Sequence, residues 1–133
     1  MPLILAADMS SSEQSSHRLF VYGTLKRGFC RHPAIASEHF LGTARTAPDY
    51  RMVNLGTYPG LLDAGESSGR SIHGEVWEVS PEALARLDVV EGIAEGEYIR
   101  REIQLLYNEF GRVEAYFYLQ NTDGCPDCGE NWL

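Results

Sequence analysis

The chain has no apolar run near the roughly 18 residues that a helix needs to span a bilayer. The patch from Leu3 to Ala7 follows no Lys or Arg and is too short for the core of a secretory signal. Cysteine is scarce, at three in 133 residues, and an odd number fits a reducing compartment better than a disulfide framework. These absences point to an intracellular, cytoplasmic protein. Basic residues are few, 11 against 19 acidic, and the formal net charge is −8. That argues against a general nucleic-acid binder, which presents a basic face, and against an anionic membrane surface as partner. Lysine is almost missing, since Lys26 stands against ten arginines, a bias read here as codon usage. A small basic pocket stays open, because Lys26, Arg27 and Arg31 gather in one stretch. None of the four histidines has a Ser or Cys partner at a recognisable spacing, so no nucleophilic triad is expected. There is no internal repeat.

What is present is one domain's worth of ordinary globular sequence, 44% hydrophobic and 23% charged. That length buries a core without disulfide staples. Residues 1–17, rich in Ser with Glu and Gln, read as a flexible N-terminal extension. Residues 18–120 read as the folded domain and 121–133 as a polar tail. Strands are expected at Arg18–Tyr22, Phe40–Arg45, Tyr50–Val53 and Ser71–Val79, with a short helix at Pro33–Glu38 and loops at Asn54–Gly60 and Asp63–Gly69. Ser80-Pro81-Glu82 opens a helix: Ser80 caps it, Pro81 suits its first position, and Glu82 favours the positive end of its dipole. That helix ends near Glu91 at Gly92, a left-handed cap. Tyr98–Tyr107 and Arg112–Leu119 then form an antiparallel hairpin around Asn108–Gly111. Strands outnumber helices and follow each other as hairpins, so the fold class is α+β with a curved, largely antiparallel sheet.

Two features carry chemistry. The first is Leu19-Phe20-Val21-Tyr22-Gly23-Thr24-Leu25-Lys26-Arg27-Gly28, an apolar strand entering a glycine-bracketed turn. Such a turn presents backbone N–H groups, which can hold an anion or a developing oxyanion. The second is Glu91. Leu84, Leu87 and Glu91 stand at i, i+3 and i+7, so a carboxyl shares the stripe of two core leucines. Burial and the negative end of the helix dipole both raise the pKa of such a group, which suits a general base. The plainer alternative is a helix-end Glu that turns to solvent or pairs with Arg86 or Arg100. Asp88 is expected to be exposed or bonded to nearby backbone, and Glu95 and Glu97 to be solvated. Tyr22 can donate to a substrate or pack in the core with its hydroxyl at the surface. Lys26 and Arg27 can attract an anionic substrate or remain solvated loop charges.

In order along the chain come Phe20–Gly28, Tyr58-Pro59-Gly60-Leu61, Gly74-Glu75-Val76-Trp77, Leu87-Asp88-Val89-Val90-Glu91 and Tyr98-Ile99-Arg100-Arg101. This ordered set resembles the γ-glutamylcyclotransferase-like superfamily. It is most similar to the γ-glutamylamine cyclotransferase and AIG2-like branch, which includes the BtrG-type enzymes of antibiotic biosynthesis. The resemblance covers about Arg18 to Leu119. It implies a small, mixed, largely antiparallel β-barrel flanked by short helices, with a cavity at one end. It also implies release of 5-oxoproline from γ-glutamyl compounds without metal or cofactor. Carried over by motif, Glu91 matches the catalytic carboxylate. Tyr22, Gly23, Thr24 and Leu25 match the substrate-binding loop, and Tyr118 matches a pocket-lining tyrosine of the last strand.

The expected partner is therefore a small-molecule γ-glutamyl substrate, with no nucleic acid and no membrane, and the protein is expected to be a monomer. The alternative is a domain of the same fold that binds a small ligand or a protein without turnover. Cys125-Pro126-Asp127-Cys128 is a lone Cys-x-x-Cys. A structural zinc needs four ligands, and Cys30 and His32 could in principle supply two more. The favoured reading is a loose tail with reduced thiols.

Overall fold

A computed structural model describes residues 17–65 and 67–133. The expected N-terminal extension lies outside the described residues except for His17, which opens the first strand. The strands are β1 (His17–Val21), β2 (His39–Arg45), β3 (Tyr50–Asn54), β4 (Pro59–Asp63), β5 (His73–Val79), β6 (Tyr98–Glu102) and β7 (Glu114–Tyr118). One helix, α1 (Pro81–Val90), joins β5 to β6. The fold class is α+β. Five strands form a sheet in the order β2-β5-β1-β7-β6, and β3 and β4 form a separate ribbon. All pairings are antiparallel except β1 with β7, which meet in parallel at Leu19 and Glu114. The sheet is not closed into the barrel that the resemblance implies: β2 and β6 are its two edges, and among the described residues only an isolated bridge of Thr46 with Leu105 links the segments beyond them. Among the described residues no helix is long and apolar enough to cross a membrane.

The central strands are buried on both faces, which their side-chain alternation explains. Phe20, Val76 and Phe117 face the β3–β4 ribbon and pack with Met52 and Leu61. Leu19, Val21, Trp77, Val79 and Tyr116 face α1 and pack with Leu84 and Leu87. Burying each of those leucines contributes about 1.5–3 kcal/mol. Gly74 lets β5 lie close to β1, since a Cβ there would strike the Val21 carbonyl and stand 2.6 Å from Phe20 Cζ.

Three expectations change at this level. The helix over Pro33–Glu38 is a single 3-10 turn at His32–Ala34. The Asn54–Gly60 loop is really a four-residue hairpin connection, closed by Leu55 N–H donating to Tyr58 C=O at 3.0 Å, after which Pro59 and Gly60 begin β4. Proline is acceptable there because it is the first residue of its strand. The β6–β7 hairpin is present but short, because Ile103, Leu105 and Val113 turn into the core beyond Glu102.

Residues 121–133 are not a loose tail. Cys128 N–H donates to Met52 C=O at 2.8 Å, and the Asn54 and His73 N–H groups donate to the Pro126 and Glu130 carbonyls at 2.8 and 2.7 Å. The Lys26 ammonium donates to Asn131 Oδ1 and to Trp132 C=O, both at 2.9 Å. The tail thus ties down the segment that follows β1.

Candidate active site

The end of α1 places Glu91. Ser80 Oγ accepts the Ala83 N–H at 3.1 Å and fixes where the helix starts. Leu84 and Leu87 then orient it against the sheet. Glu91 N–H closes the last turn on Leu87 C=O at 2.8 Å, and Gly92 leaves in the left-handed region at φ +68°. The Glu91 carboxyl points into a cleft and its side chain is only 12% exposed. Burial pushes its pKa from 4.5 up to about 7; Arg31 pulls it down, and Glu97 adds to the rise.

Opposite it lies the turn after β1. Tyr22, Gly23, Thr24 and Leu25 all line the same cleft as Glu91. The turn's carbonyls are engaged: Gly23 C=O accepts from Lys26 N–H at 3.1 Å, and Thr24 C=O from Arg31 N–H at 2.9 Å. Its donors are not, since no acceptor among the described residues takes the N–H of Gly23, Thr24 or Leu25. Gly23 allows the β3–β4 ribbon to approach, because a Cβ there would stand 2.6 Å from Pro59 Cγ. Tyr22 is almost fully buried, and its hydroxyl donates to Tyr116 C=O at 2.6 Å. It holds the cleft wall, and that hydroxyl is already engaged.

Arg31, Tyr58, Pro59, Tyr98 and Tyr116 complete the lining. The cleft is narrow, with a cavity volume of about 30 Å³, and it is open to solvent at its mouth. Tyr58 donates to Glu97 Oε1 at 3.0 Å, and Tyr98 donates to Pro59 C=O at 2.9 Å. Tyr116 donates to Asp88 Oδ1 at 2.7 Å, and Arg100 clasps the same carboxylate. Asp88, expected to be exposed or bonded to nearby backbone, and Glu97, expected to be solvated, instead hold the cleft tyrosines Tyr116 and Tyr58. Tyr118 does not line it. Its ring packs edge-on against Tyr98, 5.1 Å between centroids, one layer outside the wall.

Of Lys26, Arg27 and Arg31, which the sequence gathers in one stretch, only Arg31 lines the cleft. Arg27 donates to Glu75 Oε2 at 3.1 Å and lies 3.9 Å over the Phe40 ring, while Lys26 belongs to the tail. Arg31 is the cation in the cleft. Periodicity could not single it out from Lys26 and Arg27, because all three sit in one irregular segment. Among the described residues, none of 63–69 and none of the tail is part of the lining. A roomier groove lies beside Lys26, Arg45, His73 and Glu75. The Glu75 carboxylate in it is unsuited to base chemistry, because hydrogen bonds from Trp77 and Arg27 outweigh burial and hold its pKa below its ordinary value. Cys30, Cys125 and Cys128 are unpaired thiols. Burial raises the Cys128 thiol to about 11, and among the described residues no three His, Cys, Asp or Glu gather as metal ligands.

With the cleft described, comparison with known proteins decides the family. The family model for gamma-glutamyl cyclotransferase, AIG2-like, matches residues 19–133. The chain belongs to that family. A relative provisionally named gamma-glutamylcyclotransferase, from Vibrio cholerae, is 38% identical over 102 residues, covering 77% of this chain and 82% of its own. The gamma-glutamylcyclotransferase family protein YtfP of Escherichia coli K12 is 32% identical over 112 residues, covering 80% and 87%. The solution structure of Escherichia coli YtfP superposes with a TM-score of 0.67 at 30% identity, over 86% of this chain and 94% of that one. A crystal structure of an AIG2-like protein from Mus musculus gives 0.64 at 29% identity, over 80% and 78%. The γ-glutamyl cyclotransferase match includes the packed tail as well as the strand, turn and helix end that build the cleft.

Proposed function

We propose that this protein releases 5-oxoproline from a γ-glutamylamine or a related γ-glutamyl conjugate, with Glu91 as general acid and base. The observation that carries the reading is the pairing of a buried carboxyl, raised to about 7, with an unengaged N–H turn in one cleft. A γ-glutamyl compound holds its own nucleophile, because its α-amine reaches its γ-carbonyl to close a five-membered ring. Intramolecular attack needs a held conformation and proton transfer more than a protein nucleophile.

At neutral pH the α-amine carries a proton and does not attack. Glu91, ionised, accepts that proton; the freed nitrogen forms a bond to the γ-carbon. The carbonyl oxygen gains negative charge beside the Gly23, Thr24 and Leu25 N–H groups, which stabilise it. When the bond from the γ-carbon to the leaving nitrogen breaks, Glu91 returns its proton to that nitrogen; the ring nitrogen, which carries two hydrogens after attack, then gives its second proton to the same carboxylate, which passes it to the departing amine, so the products are the neutral lactam and an ammonium. A carboxyl titrating near neutrality can perform these transfers, a contribution of about 10²–10⁴-fold. No electron is transferred and no water consumed, so the proposed course requires no cofactor.

The test is 5-oxoproline release from a panel of γ-glutamyl compounds with varied leaving amines. Release from at least one member, graded by leaving group, is expected. Release from none would favour a binding domain of the same fold.

A further inference from the structure

Proton transfer by Glu91 leaves one feature of the cleft unexplained. Arg31 is the single cationic side chain among its described lining residues. Its place is built. Its N–H is tied to Thr24 C=O at 2.9 Å, its C=O accepts from Ala34 N–H at 3.0 Å, and its guanidinium lies 5.3 Å over the Tyr58 ring. Its Nη1 stands 4.0 Å from Glu91 Oε2, at the outer limit of an ion pair. Arg27, by contrast, makes a contact of 3.1 Å with Glu75. The Arg31 guanidinium makes no hydrogen bond to any described side chain, so a fork suited to a carboxylate stays open beside the catalytic carboxyl.

We propose that Arg31 is the receptor for the α-carboxylate of the γ-glutamyl group, and so sets which acyl groups the cleft accepts. The proposal rests on the cyclotransferase reading. In a γ-glutamyl group the α-amine and the α-carboxylate are borne on one carbon. An ammonium set against Glu91 therefore brings the carboxylate within reach of a guanidinium 4.0 Å away. The result is a ring of alternating charge: Glu91, ammonium, carboxylate, Arg31. A local cation matters here because the chain carries a net charge of −8, which repels an anionic substrate at long range. With its carboxylate on Arg31, the substrate leaves the turn N–H groups to the γ-carbonyl oxygen, where charge develops. Three attachment points on one chiral carbon and its chain also select one enantiomer of the glutamyl group.

The experiment compares 5-oxoproline with 5-oxoprolinamide, in which a neutral carboxamide replaces the carboxylate. Binding to the full-length protein is measured by titration calorimetry for wild type, Arg31→Gln and Arg31→Lys. In parallel, kcat/KM is measured for a substrate from the γ-glutamyl panel and for its α-carboxamide. Wild type is expected to prefer the acid. Arg31→Gln is expected to weaken the acid by roughly tenfold to a hundredfold, the range for one charge-assisted hydrogen-bonded pair, and to leave the amide nearly unchanged. Arg31→Lys, with the charge but without the fork, is expected to fall between. Equal losses for acid and amide would overturn the proposal and make Arg31 a support of the cleft wall. Unchanged acid recognition in Arg31→Gln would overturn it in favour of the turn N–H groups. In either case 5-oxoproline release by wild type leaves the cyclotransferase reading standing. A wild-type protein that releases no 5-oxoproline and binds neither ring would overturn both.

Discussion

Burying a carboxyl that must ionise to act destabilises the fold by a predictable amount. Glu91 titrates near 7 in the folded protein and near 4.5 when its surroundings are removed. Between those two pH values the folded protein holds a proton that the unfolded chain has released. Stability therefore falls as pH rises through that window, by about 1.4 kcal/mol per pH unit and about 3 kcal/mol in total. The contribution is fully present below pH 4.5 and lost above about 7. Glutamine keeps the shape and hydrogen-bonding capacity but cannot ionise. Glu91→Gln should match wild type at pH 4 and exceed its stability by up to about 3 kcal/mol at pH 8. Urea denaturation of both proteins at both pH values measures this, and titrating groups that do not interact with Glu91 cancel in the difference. A stability difference that is the same at pH 4 and pH 8 would refute the claim that burial raises the Glu91 pKa.

The same ionisation predicts that kcat/KM rises with pH through about 7, read from initial rates of 5-oxoproline release; a limb near 4.5 would mean an exposed carboxylate. Gly74→Ala, which drives a methyl toward the Val21 carbonyl and Phe20, should cost about 1–3 kcal/mol in urea denaturation. Deleting residues 131–133 removes both acceptors of the buried Lys26 ammonium. It should cost about 1–3 kcal/mol and speed hydrogen exchange across residues 23–28; unchanged exchange there would mean that the tail does not hold the turn.

The parts of the site that depend on regular backbone were readable in the sequence. Ser80, Pro81 and Gly92 mark the ends of α1, and the Leu84–Leu87 stripe puts Glu91 on its core-facing side, while packing decides that the carboxyl enters the cleft and does not turn to Arg86 or Arg100. The alternation of Val76 and Trp77 across β5 likewise follows from a period of two. What could not be read depends on how elements meet. Tyr98, Tyr116 and Tyr118 are alike in sequence, and only the packing of β6 and β7 against α1 and β4 decides which reach the cleft. Pro59 and Gly60 look like turn residues because the ribbon that accepts them in β4 is itself a tertiary feature. Lys26, Arg27 and Arg31 share one loop, yet its path sends them to the tail, to Glu75 and to the cleft. The tail carries no periodic pattern, and its order comes from the carbonyls and N–H groups of β3 and β5.

The central claim is that Glu91 moves the proton that lets a γ-glutamyl amine attack its own carbonyl. The most direct measurement is the rate of 5-oxoproline release by Glu91→Gln against wild type at pH 8, on the best substrate of the panel. The account predicts a folded variant whose rate is lower by about 10²–10⁴-fold. Release at the wild-type rate would contradict it.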